Sequence, residues 1–241
     1  MLQGYAEFKT GLEHPQTLHE VQGNLPDPVP TFRDGADPQF AARSLLALRG
    51  GLARHPRNKV IFIEGDPAEY IFLVVDGVVR TCRSFKGGTR SVVGFHVSGE
   101  LFGFNGERRH SLSAEAATST TTRLLKRNVV LAMAARDKRI ANFLLSNTTK
   151  ELRRVQEHAA SINRNAQCRL ATFLIDLSVR TGKTENLDLP MSHQDIADYV
   201  GLSIETVSRV ITEFERSGFV IRMSPRLLML RDRNALMRIM E

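Results

Sequence analysis

The chain has 241 residues, 42 % of them hydrophobic and 24 % charged, an ordinary globular balance with room for one large or two modest domains. It holds no long apolar run, and its opening MLQGYAEFKTGLEH has neither a basic nor an apolar leader region; this argues against a membrane span or secretion signal and for a cytoplasmic protein. A net charge of +7 favours an acidic partner, nucleic acid before an anionic membrane surface.

Residues 1–40 hold five of the nine prolines and no sustained apolar period, which reads as an irregular tail. Leu45, Leu46 and Leu48 suggest a short helix that closes at Gly50-Gly51,. From 58 to about 126 the pattern becomes short β-rich runs broken by glycine, among them YIFLVVDG, VVRTCRSF and TRSVVGFHVSGE,. Asp76-Gly77 and Gly87-Gly88 read as hairpin turns, because these residues tolerate positive φ. Residues 41–135 are therefore expected to form a small antiparallel jelly roll.

Beyond it the period is helical. Thr148, Leu152, Val155, Ala159, Ile162 and Ala166 follow alternating steps of four and three, one narrow seam on a helix of about thirty residues, as in a two-stranded coiled coil. Residues 136–166 are thus expected to form a dimer helix. Twelve Lys plus Arg face four acids between 123 and 180, whereas residues 192–241 balance seven Arg against seven acids. Any DNA contact made by the last segment must then depend on placement rather than bulk charge.

Residues 167–241 form the final unit. Ser192 with Asp195 three positions on resembles a capping box. Gly201 ends that helix, and Ser203 can cap the next, whose apolar face is Val207, Val210, Ile211 and Phe214,. Two short helices around a glycine turn make a helix-turn-helix, and the apolar runs on either side of Ser224-Pro225 suit a β-hairpin wing,.

The order of these units, with GDPAEYIFLVVDGVV and HQDIADYVGLSIETVSRVITEFERSGFV, resembles the Crp/Fnr superfamily of bacterial transcription regulators. The E-T-V-S-R core is similar to the Fnr and FixK branch more than to the cyclic-AMP receptor branch. The resemblance implies an α+β protein: a cyclic-nucleotide-binding-like β-roll (a double-stranded β-helix), a long dimerisation helix and a winged helix-turn-helix. It implies that Glu205, Ser208 and Arg209 reach base edges in the major groove, where Arg can donate twice to guanine and a carboxylate can accept from cytosine. Ser192, His193, Ser203 and Thr206 lie near helix starts, which suit phosphate.

The FixK-like profile implies a homodimeric activator on a TTGAT-N4-ATCAA-like palindrome, working with RNA polymerase on low-oxygen, nitrogen-fixation or respiratory genes. No cofactor, metal or catalytic residue is expected. Cys82 and Cys168 are the only cysteines and residues 1–81 contain none, which argues against an Fnr-type iron-sulfur cluster. The Arg-Ser pair that binds a cyclic nucleotide's phosphate is replaced by His110-Ser111, unless a one-residue shift offers Arg109,. The alternative is a haem- or small-ligand-sensing relative of the nitric-oxide-responsive branch, with His96 or His110 as ligand. An oxygenase on the roll would need more metal ligands than these two histidines.

Overall fold

The computed structural model describes residues 50–85, 90–104 and 108–240. The expected tail over 1–40, the helix around Leu45–Leu48 and the Gly87-Gly88 turn lie outside them. Strands β1 (Gly51–His55), β2 (Val60–Phe62), β3 (Tyr70–Asp76), β4 (Val78–Ser84), β5 (Arg90–Val97), β6 (Leu101–Phe102), β7 (Ser113–Ala116) and β8 (Thr120–Lys126) build the roll. They form two antiparallel sheets, in the orders β1-β8-β3-β6 and β2-β7-β4-β5. Strand β7 shows the logic of the layers: Ala114 and Ala116 point inward and are fully buried while Ser113 and Glu115 point out, the period-two alternation of a half-buried strand. Phe62, Phe72 and Phe102 fill the space between the sheets, with ring centroids 5.0–6.1 Å apart.

Two expectations need correction. Asp76-Gly77 is not a hairpin turn, because β3 pairs with β6 and β8 whereas β4 pairs with β5 and β7. Gly77 does have a positive φ, 84°, but it turns a corner between sheets, and a Cβ there would lie 2.5 Å from the Ser119 carbonyl. The second correction concerns the expected thirty-residue helix. After α1 (Arg127–Arg136), the long helix α2 runs Lys138–Ser161, and a separate helix α3 runs Ala166–Thr181. The side chain of Asn165 accepts from the Cys168 backbone amide at 2.8 Å and so starts α3 afresh,. Ile162 is therefore the residue that closes α2, and Ala166 is the first of α3.

Helix α2 is anchored at its start. Ile140, Phe143 and Leu144 pack on Ile71, Leu73 and Leu125 of the roll. Further along, the helix carries apolar side chains that the protomer leaves uncovered: Leu145 is 66 % exposed, Leu152 57 %, and Val155 and Ile162 48 % each. Leu145 extends the expected seam by a further step of three.

The C-terminal unit comprises α3, strand β9 (Asn186–Asp188), helices α4 (His193–Val200) and α5 (Ile204–Arg216), strands β10 (Val220–Ser224) and β11 (Leu227–Leu230), and α6 (Arg233–Met240). The hairpin expected around Ser224-Pro225 is β10-β11, and β9 adds a third strand beside β11. This unit and the roll share one apolar cluster: Val92, Phe95 and Val97 of β5 join Leu174, Ile196 and Phe214. The Phe95 ring meets Phe173 at 6.0 Å and Tyr199 at 5.4 Å between centroids.

An ionic contact reinforces the junction. Glu100, after β5, accepts from Arg180 of α3 at 2.7 Å and from Arg154 of α2 at 3.4 Å. Burial alone would raise the Glu100 carboxyl, but the charge and hydrogen bonds of Arg180, with Arg154, outweigh it and hold the group at about 2. Because the folded value lies below the unfolded one, the stabilisation is fully present above about pH 4.5 and is lost as pH falls towards 2,. Urea unfolding of wild type and Glu100→Gln at pH 6 and at successively lower pH is expected to show a wild-type advantage of about 3 kcal/mol at pH 6, shrinking steadily as the solution is acidified. A pH-independent difference would assign the effect to packing instead.

Candidate nucleic-acid interface

Helix α4 starts as its sequence requires. The Ser192 hydroxyl accepts from the Asp195 amide at 3.0 Å and donates to Asp195 Oδ2 at 2.7 Å, while the Ser192 amide donates to the same oxygen at 3.3 Å. Asp195 is 1 % exposed, and two roll arginines explain how a carboxylate can sit there. Arg80 Nη1 donates to its Oδ2 at 3.1 Å and Arg90 Nη2 to its Oδ1 at 3.0 Å, and both arginines also grip Glu115. Two arginines against two carboxylates leave neither carboxylate without an opposite charge,.

The turn is made by Gly201, with φ 66° and ψ 42° in the left-handed region that favours glycine,. Arg169 of α3 braces it from behind, donating to the Gly201 carbonyl at 3.0 Å. The Ser203 side chain then accepts from the Thr206 amide at 3.2 Å and caps α5. Val207, Val210, Ile211 and Phe214 are buried, with Val207 and Ala197 both fully enclosed. Anchoring of that stripe turns the other side of α5 outward.

Glu205, Ser208 and Arg209 all lie on the exposed side. The Arg209 guanidinium makes no hydrogen bond or ion pair with any described residue. At Glu205 the residue's own amide and the Ser203 hydroxyl lower the carboxyl from its ordinary value, so it is ionised at neutral pH. The helix start gathers Ser203 and Thr206, whose hydroxyls are 3.0 Å apart. Ser192 and His193 lie half-buried at the start of α4, the Ser192 hydroxyl already engaged with Asp195.

Sequence reasoning missed several contributors. Arg226 is exposed at the β10-β11 turn, and Arg222 pairs with Glu215 of α5 at 3.0 Å. The S-P-R turn was the available signal for Arg226. Arg169, Arg80 and Arg90 had no local signal, since their partners are distant in the chain.

A cavity of about 660 Å³, open to solvent on one side, lies between the roll and α2, lined by His96, Thr81, Glu100, Phe102, Phe143 and Arg154 among others. His96 is buried with Nε2 3.3 Å from the Thr81 hydroxyl, and burial lowers its basicity. His110 is 4 % exposed and stacks on Phe62 at 3.6 Å. Burial, then the Arg127 charge, push it down to about 4, so it offers no cation for a phosphate at neutral pH. Arg109 donates to the Gly65 carbonyl at 2.6 Å. Cys82 and Cys168 are both buried, and desolvation pushes the Cys82 thiol up to about 11, away from the reactive thiolate.

A β-roll joined through a long helix to a winged helix-turn-helix defines a class, the DNA-binding transcription regulators that carry a sensor-type roll. Residues 52–137 match the cyclic nucleotide-binding domain family and residues 168–239 the Crp-like helix-turn-helix domain family. The chain is 39 % identical over 210 residues to the nitrogen fixation regulation protein FixK of Azorhizobium caulinodans, covering 85 % of each chain. It is 41 % identical over 175 residues to FixK of Rhizobium meliloti, covering 71 % of this chain and 79 % of that one. The solved structure of FixK2 from Bradyrhizobium japonicum superposes with a TM-score of 0.74 at 34 % identity, covering 79 % of this chain and 96 % of that one. The chain belongs to the Crp/Fnr family of transcription regulators and resembles its FixK members. Among the described residues no helix is long and apolar enough to cross a membrane.

Proposed function

We propose that the protein is a homodimeric transcription activator of the FixK kind, cytoplasmic, that reads a TTGAT-N4-ATCAA-like palindrome without a bound effector. The carrying observation is the outer face of α5, where Arg209 stands exposed and unengaged beside Glu205 and Ser208 on a helix locked from behind. In a major groove Arg209 donates to guanine O6 and N7, Glu205 accepts from a cytosine amino group, and Ser208 bonds an adjacent edge. Ser192, His193, Ser203 and Thr206, with Arg226 of the wing, hold the phosphates and set the register.

Twofold reading requires two copies, and the bare strip from Leu145 through Leu152 and Val155 to Ile162 supplies a self-complementary seam. Effector independence is supported by the fate of the phosphate-binding position, where a neutral His110 faces Phe62 and Arg109 is committed elsewhere. The names of the FixK relatives favour nitrogen-fixation or related low-oxygen genes, with RNA polymerase as the protein partner.

Binding-site selection from random duplex DNA with the purified full chain and no added small molecule tests this reading. The expected result is a twofold-symmetric consensus with TTGAT and ATCAA arms. A consensus without dyad symmetry, or enrichment only after adding a cyclic nucleotide or haem, would overturn it.

A further inference from the structure

The buried pairing of Arg80, Arg90, Glu115 and Asp195 does more than tolerate a charge. Arg80, Arg90 and Glu115 stand on β4, β5 and β7, neighbours in one hydrogen-bonded sheet, and Asp195 is the third residue of α4. Arg80 is 5 % exposed and donates to Asn58 as well as to both carboxylates. Each carboxylate is shared by both arginines, so the lattice fixes α4 in translation and in rotation. The apolar contacts around Phe95, Phe173 and Tyr199 are attractive but weakly directional, whereas charge-assisted guanidinium–carboxylate bonds are geometrically specific. Asp195 is also bonded to Ser192, the residue that opens α4, so the roll's grip reaches the helix-turn-helix frame itself.

We infer that Arg80 and Arg90 are positioning residues for DNA reading: through Asp195 they hold each helix-turn-helix at a fixed place on its roll and so set the half-site spacing the dimer accepts. The inference rests on the proposed palindrome. Adding one base pair moves a half-site by about 3.4 Å along the axis and turns it by about 35°. A reader fixed to its roll cannot follow that change. Without the clamp the 162–165 connection, the apolar contact and the Glu100–Arg180 pair to α3 remain, and none of them fixes α4 itself by a directional bond, so the reader can follow.

The test compares wild type, Arg80→Gln, Arg90→Gln and the charge-keeping Arg80→Lys on palindromes whose arms are three, four or five base pairs apart. Wild type is expected to prefer its best spacing about tenfold or more over either neighbour, the size of a single-site mismatch. Arg90→Gln should flatten that preference and Arg80→Gln flatten it further, to within about threefold, with Arg80→Lys restoring part of it. Loss of stability alone would lower binding to all three duplexes alike. An unchanged spacing preference in a folded Arg90→Gln would overturn the inference even if Arg80→Gln does not fold.

Limited proteolysis of the free protein provides a readout independent of the DNA sequence. Residues 162–165 are exposed, and both Gln variants should be cut there faster than wild type. If wild type binds none of the palindromes, the proposed DNA site is wrong; equal cleavage rates would then overturn the clamp as well.

Discussion

A chain carrying Leu152→Asp and Val155→Asp is expected to sediment as a monomer and to lose more than about a hundredfold in affinity for the palindrome. Both side chains are largely exposed in the isolated protomer, so neither substitution touches its core, and circular dichroism and melting temperature should match wild type within experimental scatter. In the dimer each would be buried, and burial of a Leu or Val is worth about 1.5–3 kcal/mol per side chain, counted on both helices. The variant loses that and places four carboxylates along one seam. Since each half-site alone supplies only part of the binding energy, the loss on DNA exceeds any change at the reading surface. A variant that still sediments as a dimer would place the interface elsewhere than α2.

Arg209→Ala is expected to weaken binding to the selected site by about 1–3 kcal/mol per half-site and to leave binding to a scrambled duplex nearly unchanged. The side chain is exposed and makes no hydrogen bond or ion pair with any described residue, so little folding energy is expected to change with the substitution. Arg209→Lys sharpens the test, since it keeps the charge but not the planar fork that addresses guanine O6 and N7 together. If the arginine reads a base, Lys should recover little specific affinity and should widen the choice at one position of the consensus. If it only attracts phosphate, Lys should behave as wild type. Titration by fluorescence anisotropy at fixed salt separates the two, because the segment around α5 carries no net charge to mask the difference.

The helix-turn-helix was legible in the sequence because every signal for it is local. Ser192 and Asp195 form the capping box, Gly201 takes the left-handed turn, Ser203 caps, and the stripe from Val207 to Phe214 is buried. The roll was legible as β-rich but not as a pairing scheme. Gly77 has the conformation its type suggests, yet whether its flanking strands pair with each other depends on β8, some forty-five residues away. The break after Ser161 shows the same limit at helical spacing. Ile162 and Ala166 continue the four-three rhythm by position although Asn165 starts a new helix between them, and the Asn cap was the signal to weigh against the rhythm. Strand β9 has only three residues, too few to show a period. The clamp joins residues 115 positions apart, and nothing in either neighbourhood announces the other.

The apolar cluster that runs from β5 into Leu174, Ile196 and Phe214 bears on how such a regulator can be rebuilt. A transplantable module closes its own core, so that a cut at the linker leaves two wettable surfaces. Here a cut near residue 164 would uncover Phe95 on one fragment and Phe173 with Tyr199 on the other. Grafting this DNA reader onto a foreign sensor therefore means grafting the outer surface of β5 with it, and chimeras that respect only the chain boundary should be aggregation-prone.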